Sequence, residues 1–182
     1  MTSRLPVVFL VVCALAAVYG QSEEGCQTVD TPGDSSFQYA QPDVQVPVGA
    51  KGIKFSVRAA NDAHIVFSPI EGDHKDMIEI VIGALGDDET QISSISLCKE
   101  CEPIPMDTPD ILSADEYREF SVSVKNNFVQ VRVGDGAPER FQIPEDIDYT
   151  QYQYVGISTG SEGSWKFCND WIFEQDADPQ GE

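Results

Sequence analysis

Basic side chains are scarce in this chain: 11 lysines and arginines stand against 31 aspartates and glutamates, a formal net charge of −20. Such a surface repels phosphate backbones and anionic bilayers, which excludes nucleic acid and leaves cations and basic partners. Histidine is scarcer still, with two copies, so a Ser-His-Asp triad would have to draw on His64 or His74, and no G-x-S-x-G nucleophile elbow accompanies them. His64 lies in an apolar run beside Asp62 and reads as a structural histidine whose ring is hydrogen-bonded locally. His74 sits in the charged stretch 71–76 and reads as solvated. Helical periodicity is nearly missing: one capping-box spacing, Ser113 to Glu116, predicts a single helical turn. None of the asparagines opens an N-x-S/T sequon, which excludes N-glycosylation. No segment repeats at a fixed period, so a propeller or solenoid is excluded as well.

What is present begins with Arg4, an apolar run from Leu5 to Tyr19, and small residues at Val18 and Gly20. That run is shorter than the roughly 20 residues a membrane span needs, and the pattern predicts a secretory signal over 1–20, cleaved before Gln21, with no membrane span. Of the five cysteines, Cys13 leaves with the signal. Cys26, Cys98, Cys101 and Cys168 form an even set in an oxidising compartment and read as two disulfides. Cys98 and Cys101 also have the spacing of zinc ligands, but Cys26 and Cys168 stand singly and supply no second close pair. Three connectivities are open. Joining Cys26 to Cys168 and Cys98 to Cys101 suits a sandwich whose terminal strands lie side by side.

The remaining chain is long enough for one well-buried domain. Residues 21–36 are polar and acidic and predict a loose arm, residues 37–173 a folded domain, and 174–182 an acidic disordered tail. Pro42 and Pro47 in the extended stretch 37–48 suit an edge strand. Ile53, Phe55, Val57 and Ala59 alternate with Lys54, Ser56 and Arg58, the period of a half-buried strand. After a turn at Asn61 and Asp62, a second strand antiparallel to it is expected from Ala63. Ile78, Ile80 and Ile82 face one way on a further strand, and 91–97 continues the texture. Phe120, Val122 and Val124 alternate with serines up to Asn126 and Asn127, and Val129, Val131 and Val133 alternate again beyond it. That pattern is a hairpin on a two-residue type I′ turn. A last pair runs from Tyr154 through the turn 160–163 to Trp165, Phe167 and Trp171, with Val155, Ile157, Trp165 and Phe167 as core. About ten short strands with minimal helix predict an all-β fold, an antiparallel sandwich or jelly roll.

The blocks EIVIG at 79–83, TPDILSADEYREF at 108–120, and YVGISTG with GSWKF at 154–167 together resemble the farnesoic acid O-methyltransferase-like domain family, over roughly residues 52 to 168. The resemblance implies a domain of secreted and multidomain invertebrate proteins. The family's name implies methylation of a sesquiterpenoid acid from S-adenosylmethionine. Where the family tends to continue Gly, Trp, Gly, Asn after EIVIG, this chain has Ala84, Leu85, Gly86 and Asp87. Where the family tends to place another tryptophan after STG, it has Ser161 and Glu162.

An S-adenosylmethionine enzyme of the common kind needs a strand, a glycine-rich turn and a helix. Ile80 to Gly86 offers a strand and two glycines, then carboxylates and more strand. The residues themselves therefore assign no catalytic side chain and no organic cofactor. The expectation is a secreted, non-catalytic module that binds an extracellular protein or carbohydrate through end loops or a sheet face. Its candidate ligand residues are Glu71, Asp73, His74 and Asp76 in one loop and Ser161 and Glu162 in another, with 83–89 as a third loop. Two other functions stay open: an acidic matrix protein that recruits calcium or mineral, and the methyltransferase of the family name. For the former, Asp87, Asp88 and Glu89 form the densest oxygen cluster for Ca²⁺.

Overall fold

The computed structural model describes residues 25–36, 38–39, 46–71, 77–85, 91–98, 100–106, 108, 111–143, 145 and 152–173. Among them the chain forms β1 (Gln27–Thr31), β2 (Gln38–Tyr39), β3 (Ala50–Arg58), β4 (Ala63–Ser68), β5 (Ile78–Leu85), β6 (Gln91–Ser96) and β7 (Ile104–Met106). The second half adds β8 (Arg118–Lys125), β9 (Phe128–Val133), β10 (Glu139–Gln142), β11 (Tyr154–Thr159), β12 (Gly163–Phe167) and β13 (Trp171–Phe173). A seven-stranded sheet runs β1-β12-β3-β8-β9-β10, with β13 also on β3, and faces a six-stranded sheet in the order β2-β11-β4-β5-β6-β7. Every pairing is antiparallel, so the fold is an all-β sandwich.

The core follows from period-two alternation. Ile53, Phe55 and Val57 of β3, Phe120 and Val122 of β8, Val129 of β9, and Trp165 and Phe167 of β12 point inward from the larger sheet. Ile65 and Phe67 of β4, the isoleucines of β5, Ile95 of β6, and Val155 and Ile157 of β11 meet them from the smaller one. Phe55 is the aromatic centre, its ring centroid 5.4 Å from Trp165, 5.7 Å from Phe120 and 6.2 Å from Phe167. Each such buried side chain contributes about 1.5–3 kcal/mol of transfer free energy, against the entropy of ordering it.

Asn126 and Asn127 have φ of 50° and 62°, as a type I′ turn requires, and the hairpin register follows, with Lys125 opposite Phe128 and Val122 opposite Val131. The cysteines pair Cys26 with Cys168 and Cys98 with Cys101. The terminal strands do lie side by side, Gln27 opposite Phe167.

Several expectations are corrected. Residues 27–31, expected in a loose arm, form β1 and bury Val29 and Thr31, because β12 offers them an open edge. β3 and β4 do not pair with each other: the turn at Asp62 carries the chain from one sheet to the other. Asp62 donates its N–H to the Gly83 carbonyl (3.1 Å) and accepts from the Gly160 N–H (2.9 Å), partners far away in sequence. Residues 114–116 bend instead of forming a helical turn. Ser113 Oγ accepts from the Asp115 and Glu116 N–H groups, at 3.2 and 3.1 Å, and no helix continues. The final stretch breaks at Asn169, φ 58°, into β12 and β13, which share one edge of β3. The proline-rich passage, expected as loop, contributes β7, an edge strand on which Pro105 is tolerated. The expected signal segment 1–20, Pro42, and the expected tail 174–182 lie outside the described residues.

Candidate functional site: a groove on the outer face of the larger sheet

Apart from Gly52 and Phe128, the outward positions that pair among β3, β8 and β9 are polar, and the pairings set them in rows. Lys54 lies opposite Ser121, and Ser121 opposite Arg132. One step on, Gly52 lies opposite Ser123 and Ser123 opposite Gln130. Adjacent strands are ~4.8 Å apart, so Lys54 and Arg132 stand roughly 10 Å apart with a serine hydroxyl between them. Gly52 is required for that floor: a Cβ there would lie 2.2 Å from the Val122 carbonyl oxygen and 2.6 Å from Ser123 Cα.

The floor belongs to a groove of about 670 Å³. Asp170, Trp171, Ile172 and Phe173 wall one side, Lys125 and Asn126 close one end, and Gly134, Asp135 and Pro138 close the other. β13 is held there because Trp171 pairs with Ile53 and the Lys54 N–H donates to the Asp170 carbonyl at 3.0 Å. Phe173 is exposed, an aromatic face open to a ligand. Lys51, Lys54 and Arg132 make no ion pair with another described residue. Beside the groove, Arg140 lies 4.7 Å over the Phe128 ring, and Arg58 and Lys166 lie 5.3 and 4.3 Å over Tyr117. The Tyr117 hydroxyl donates to Ser164 Oγ (2.9 Å), which donates to Asp30 Oδ1 (2.6 Å). A second cleft of about 510 Å³ opens between the sheets at one end of the sandwich, lined by Val46, Phe67, Ile78, Val129, Tyr152 and Trp171.

Of the residues singled out from the sequence, those that are described stand elsewhere. Glu71 is exposed at the end of β4, while Asp73, His74 and Asp76, and the calcium candidates Asp87, Asp88 and Glu89, lie outside the described residues. Ser161 and Glu162 occupy the β11–β12 turn, at the end of the sandwich away from the inter-sheet cleft, since Thr159 pairs with Ala63 and Tyr154 with Ser68. That turn is tied down on several sides. Gly33 passes so close that a Cβ on it would lie 2.5 Å from the Glu162 nitrogen. The Ser35 N–H donates to the Thr159 carbonyl at 3.2 Å, and the Thr31 and Thr159 hydroxyls meet at 2.5 Å. Nearby, hydrogen bonds from the Ser36 hydroxyl and N–H hold the Asp34 carboxyl below its ordinary range.

His64 is hydrogen-bonded, its Nδ1 meeting Oε1 of Glu79 on the neighbouring strand at 2.8 Å. No group of three His, Cys, Asp or Glu side chains that could hold a metal occurs among the described residues. Gly83 opens no βα turn: β5 continues through it to Leu85 on β6, with a register shift at that point and the Gly83 N–H donated to Ser93 Oγ at 3.1 Å. No helix among the described residues is long and apolar enough to cross a membrane. The alternation in the sequence did mark Lys54, Ser121, Ser123, Gln130 and Arg132 as outward. It carried no signal that three separate strands would set them side by side.

Among solved structures the chain is similar to an endo-acting O-glycanase of the human gut microbiota, with 14% identity over 82% of this chain and 78% of that one and a TM-score of 0.48. It is similar to sheep galectin-11, with 15% identity over 78% and 92% and a TM-score of 0.45. It is also similar to the catalytic domain of an endo-1,3-β-glucanase from Thermotoga petrophila, with 11% identity over 81% and 76% and a TM-score of 0.47. No curated protein matches it. Residues 34–172 match the family described as farnesoic acid O-methyl transferase, a span that holds the three blocks EIVIG, TPDILSADEYREF and YVGISTG with GSWKF, and the chain belongs to that family.

Proposed function

We propose that the chain is a secreted, non-catalytic β-sandwich module that binds an extracellular carbohydrate or protein on the outer face of its seven-stranded sheet. The observation that carries this reading is the groove of about 670 Å³ over β3, β8 and β9. Its floor is hydroxyl, amide and cationic side chains on rigid strands, and its wall offers the exposed ring of Phe173. Hydrogen-bonding groups beside an aromatic plane are what a sugar, with its hydroxyls and apolar C–H faces, or a polar protein surface requires. Two disulfides suit an oxidising compartment, in line with secretion. Among the described residues the lining of the groove holds no histidine or cysteine, and its lysines and arginine supply hydrogen-bond donors and charges.

A glycan and protein-partner screen on the secreted chain tests the reading. Captured ligand is expected to be lost or weakened in Phe173→Ala, whose side chain is exposed and whose loss leaves the core intact. A ligand retained in full by Phe173→Ala and by Ser123→Tyr, which fills the groove, would place the site elsewhere. Calorimetry with S-adenosylmethionine addresses the family name directly: no heat is expected at millimolar ligand, and saturable binding would overturn the non-catalytic reading. For the calcium-recruiting alternative, the melting temperature with calcium is expected to equal that at matched ionic strength of sodium chloride. A calcium-specific rise would favour the matrix function.

A further inference from the structure

We propose that the ligand of this face is an acidic carbohydrate, bearing carboxylate or sulfate groups; this rests on the binding-module reading and adds the charge of what is bound. The ground for it is a segregation of charge that the net figure conceals. The six-stranded sheet contains no lysine or arginine in any of its strands. In the seven-stranded sheet, Lys54, Arg58, Lys125, Arg132, Arg140 and Lys166 all occupy outward positions, while the outward carboxylates on its strands are Asp30 and Glu119. In a chain with 31 acidic and 11 basic residues, one face thus presents mostly cations.

The arrangement within the groove narrows the class. Lys54 and Arg132 flank Ser121 in one row, and Ser123 and Gln130 follow in register in the next, with Arg140 continuing that row beside the groove. Cations alternate with neutral hydrogen-bonding groups, as a chain of sugars alternates anionic groups with hydroxyls, and Arg132 can meet a carboxylate or sulfate with two parallel N–H donors. Glu119, Asp135 and Asp170 also line the groove, and all three are exposed. They set a limit on the anionic density the groove tolerates. A polyanion as dense as nucleic acid would meet those carboxylates and the field of the whole acidic molecule, whereas a sparsely charged saccharide would not.

The test is a binding titration of the full secreted chain against four probes of similar length: a hyaluronan oligosaccharide with carboxylates on alternate sugars only, a sparsely sulfated keratan oligosaccharide, a neutral cello-oligosaccharide and single-stranded DNA. Binding of at least one acidic oligosaccharide is expected, weakening as salt rises from about 50 to about 500 mM. The Lys54→Gln/Arg132→Gln double variant should lose about tenfold or more in affinity, and Arg118→Gln, a cation whose guanidinium already pairs with Glu116, should stay within about twofold. Which acidic probe binds separates carboxylate from sulfate. If the double variant melts lower than its parent, Lys54→Arg/Arg132→Lys keeps the charges and must keep binding. Neutral oligosaccharide bound as tightly as the acidic ones, unaffected by the double variant, would overturn the anionic assignment and leave the module reading standing. DNA bound as tightly as either acidic sugar would overturn the carbohydrate assignment. Absence of any glycan or protein ligand in this titration and in the partner screen would overturn both.

Discussion

Trp165 shows how one residue is placed by local pattern and valued by its surroundings. Its inward position follows from alternation along β12, and it ends with no solvent exposure, opposite Val57 on one side and Val29 on the other. The indole lies parallel to Phe167 within 3° at a centroid distance of 6.3 Å. Its Nε1–H is buried with no acceptor among the described residues. The side chain therefore acts through volume and ring contact, with an orphan donor as a cost of about 1–3 kcal/mol. Replacement by alanine should cost about 3–5 kcal/mol, while Trp165→Phe should cost only roughly 1–2 kcal/mol, since the smaller cavity is partly offset by removing the orphan N–H. Urea denaturation of the two variants checks this, and a phenylalanine variant as damaged as the alanine one would mean that Nε1 has a partner.

At the scale of elements, the β8–β9 hairpin and the β3–β4 connection make a telling pair. Both turns hold residues of positive φ: Asn126 and Asn127 in the first, and Asp62, φ 50°, in the second. The first was legible in the sequence because a two-residue turn dictates the register of the strands it joins. The second was legible as a turn but not as a crossing between the sheets, because its Asp62 bonds to Gly83 and Gly160, which only the assembled sandwich brings near. The hairpin turn also does more than reverse the chain: Asn127 Nδ2 donates to the Ile143 carbonyl at 3.0 Å, and the Ile143 N–H donates back to the Asn127 carbonyl at 2.9 Å. Asn126→Gly is accordingly expected to be as stable as the parent or slightly more so. Asn127→Gly keeps the backbone geometry but loses the side-chain bond, and should cost about 0.5–1.5 kcal/mol. Thermal melts of the two glycine variants that failed to separate would remove the role assigned to Asn127.

For the molecule as a whole, closure depends on its ends. Cys26 and Cys168 are 142 residues apart, whereas Cys98 and Cys101 are 3 apart. In the chain-entropy account, crosslinks of these spans restrict the unfolded chain by roughly 5 and roughly 1.5 kcal/mol respectively. Cys26→Ser/Cys168→Ser should therefore lower the melting temperature well below that of Cys98→Ser/Cys101→Ser, and equal losses would contradict the closure argument. The candidate site is a whole-molecule property too. Candidates chosen from the sequence were loops rich in charge, but the backbone of Ser161 and Glu162 turned out to lie against Gly33, with the Glu162 side chain left exposed. The groove formed instead on strands, from residues that looked like ordinary solvent-facing positions.

By itself the sequence determined which side of each strand would be apolar, because side-chain facing has a period of two residues and needs no distant information. It also determined the hairpin at Asn126 and Asn127, and the all-β class, for the same reason: these follow from neighbours along the chain. Only the tertiary structure decided that β3, β8 and β9 lie in that order, and that β1 docks on β12 and β13 on the free stretch of β3. It alone gathered six outward cations of a strongly acidic chain on one sheet. Strand adjacency is set by packing and backbone pairing between segments remote in sequence. The row of Lys54, Ser121 and Arg132 could not be read from any one of them.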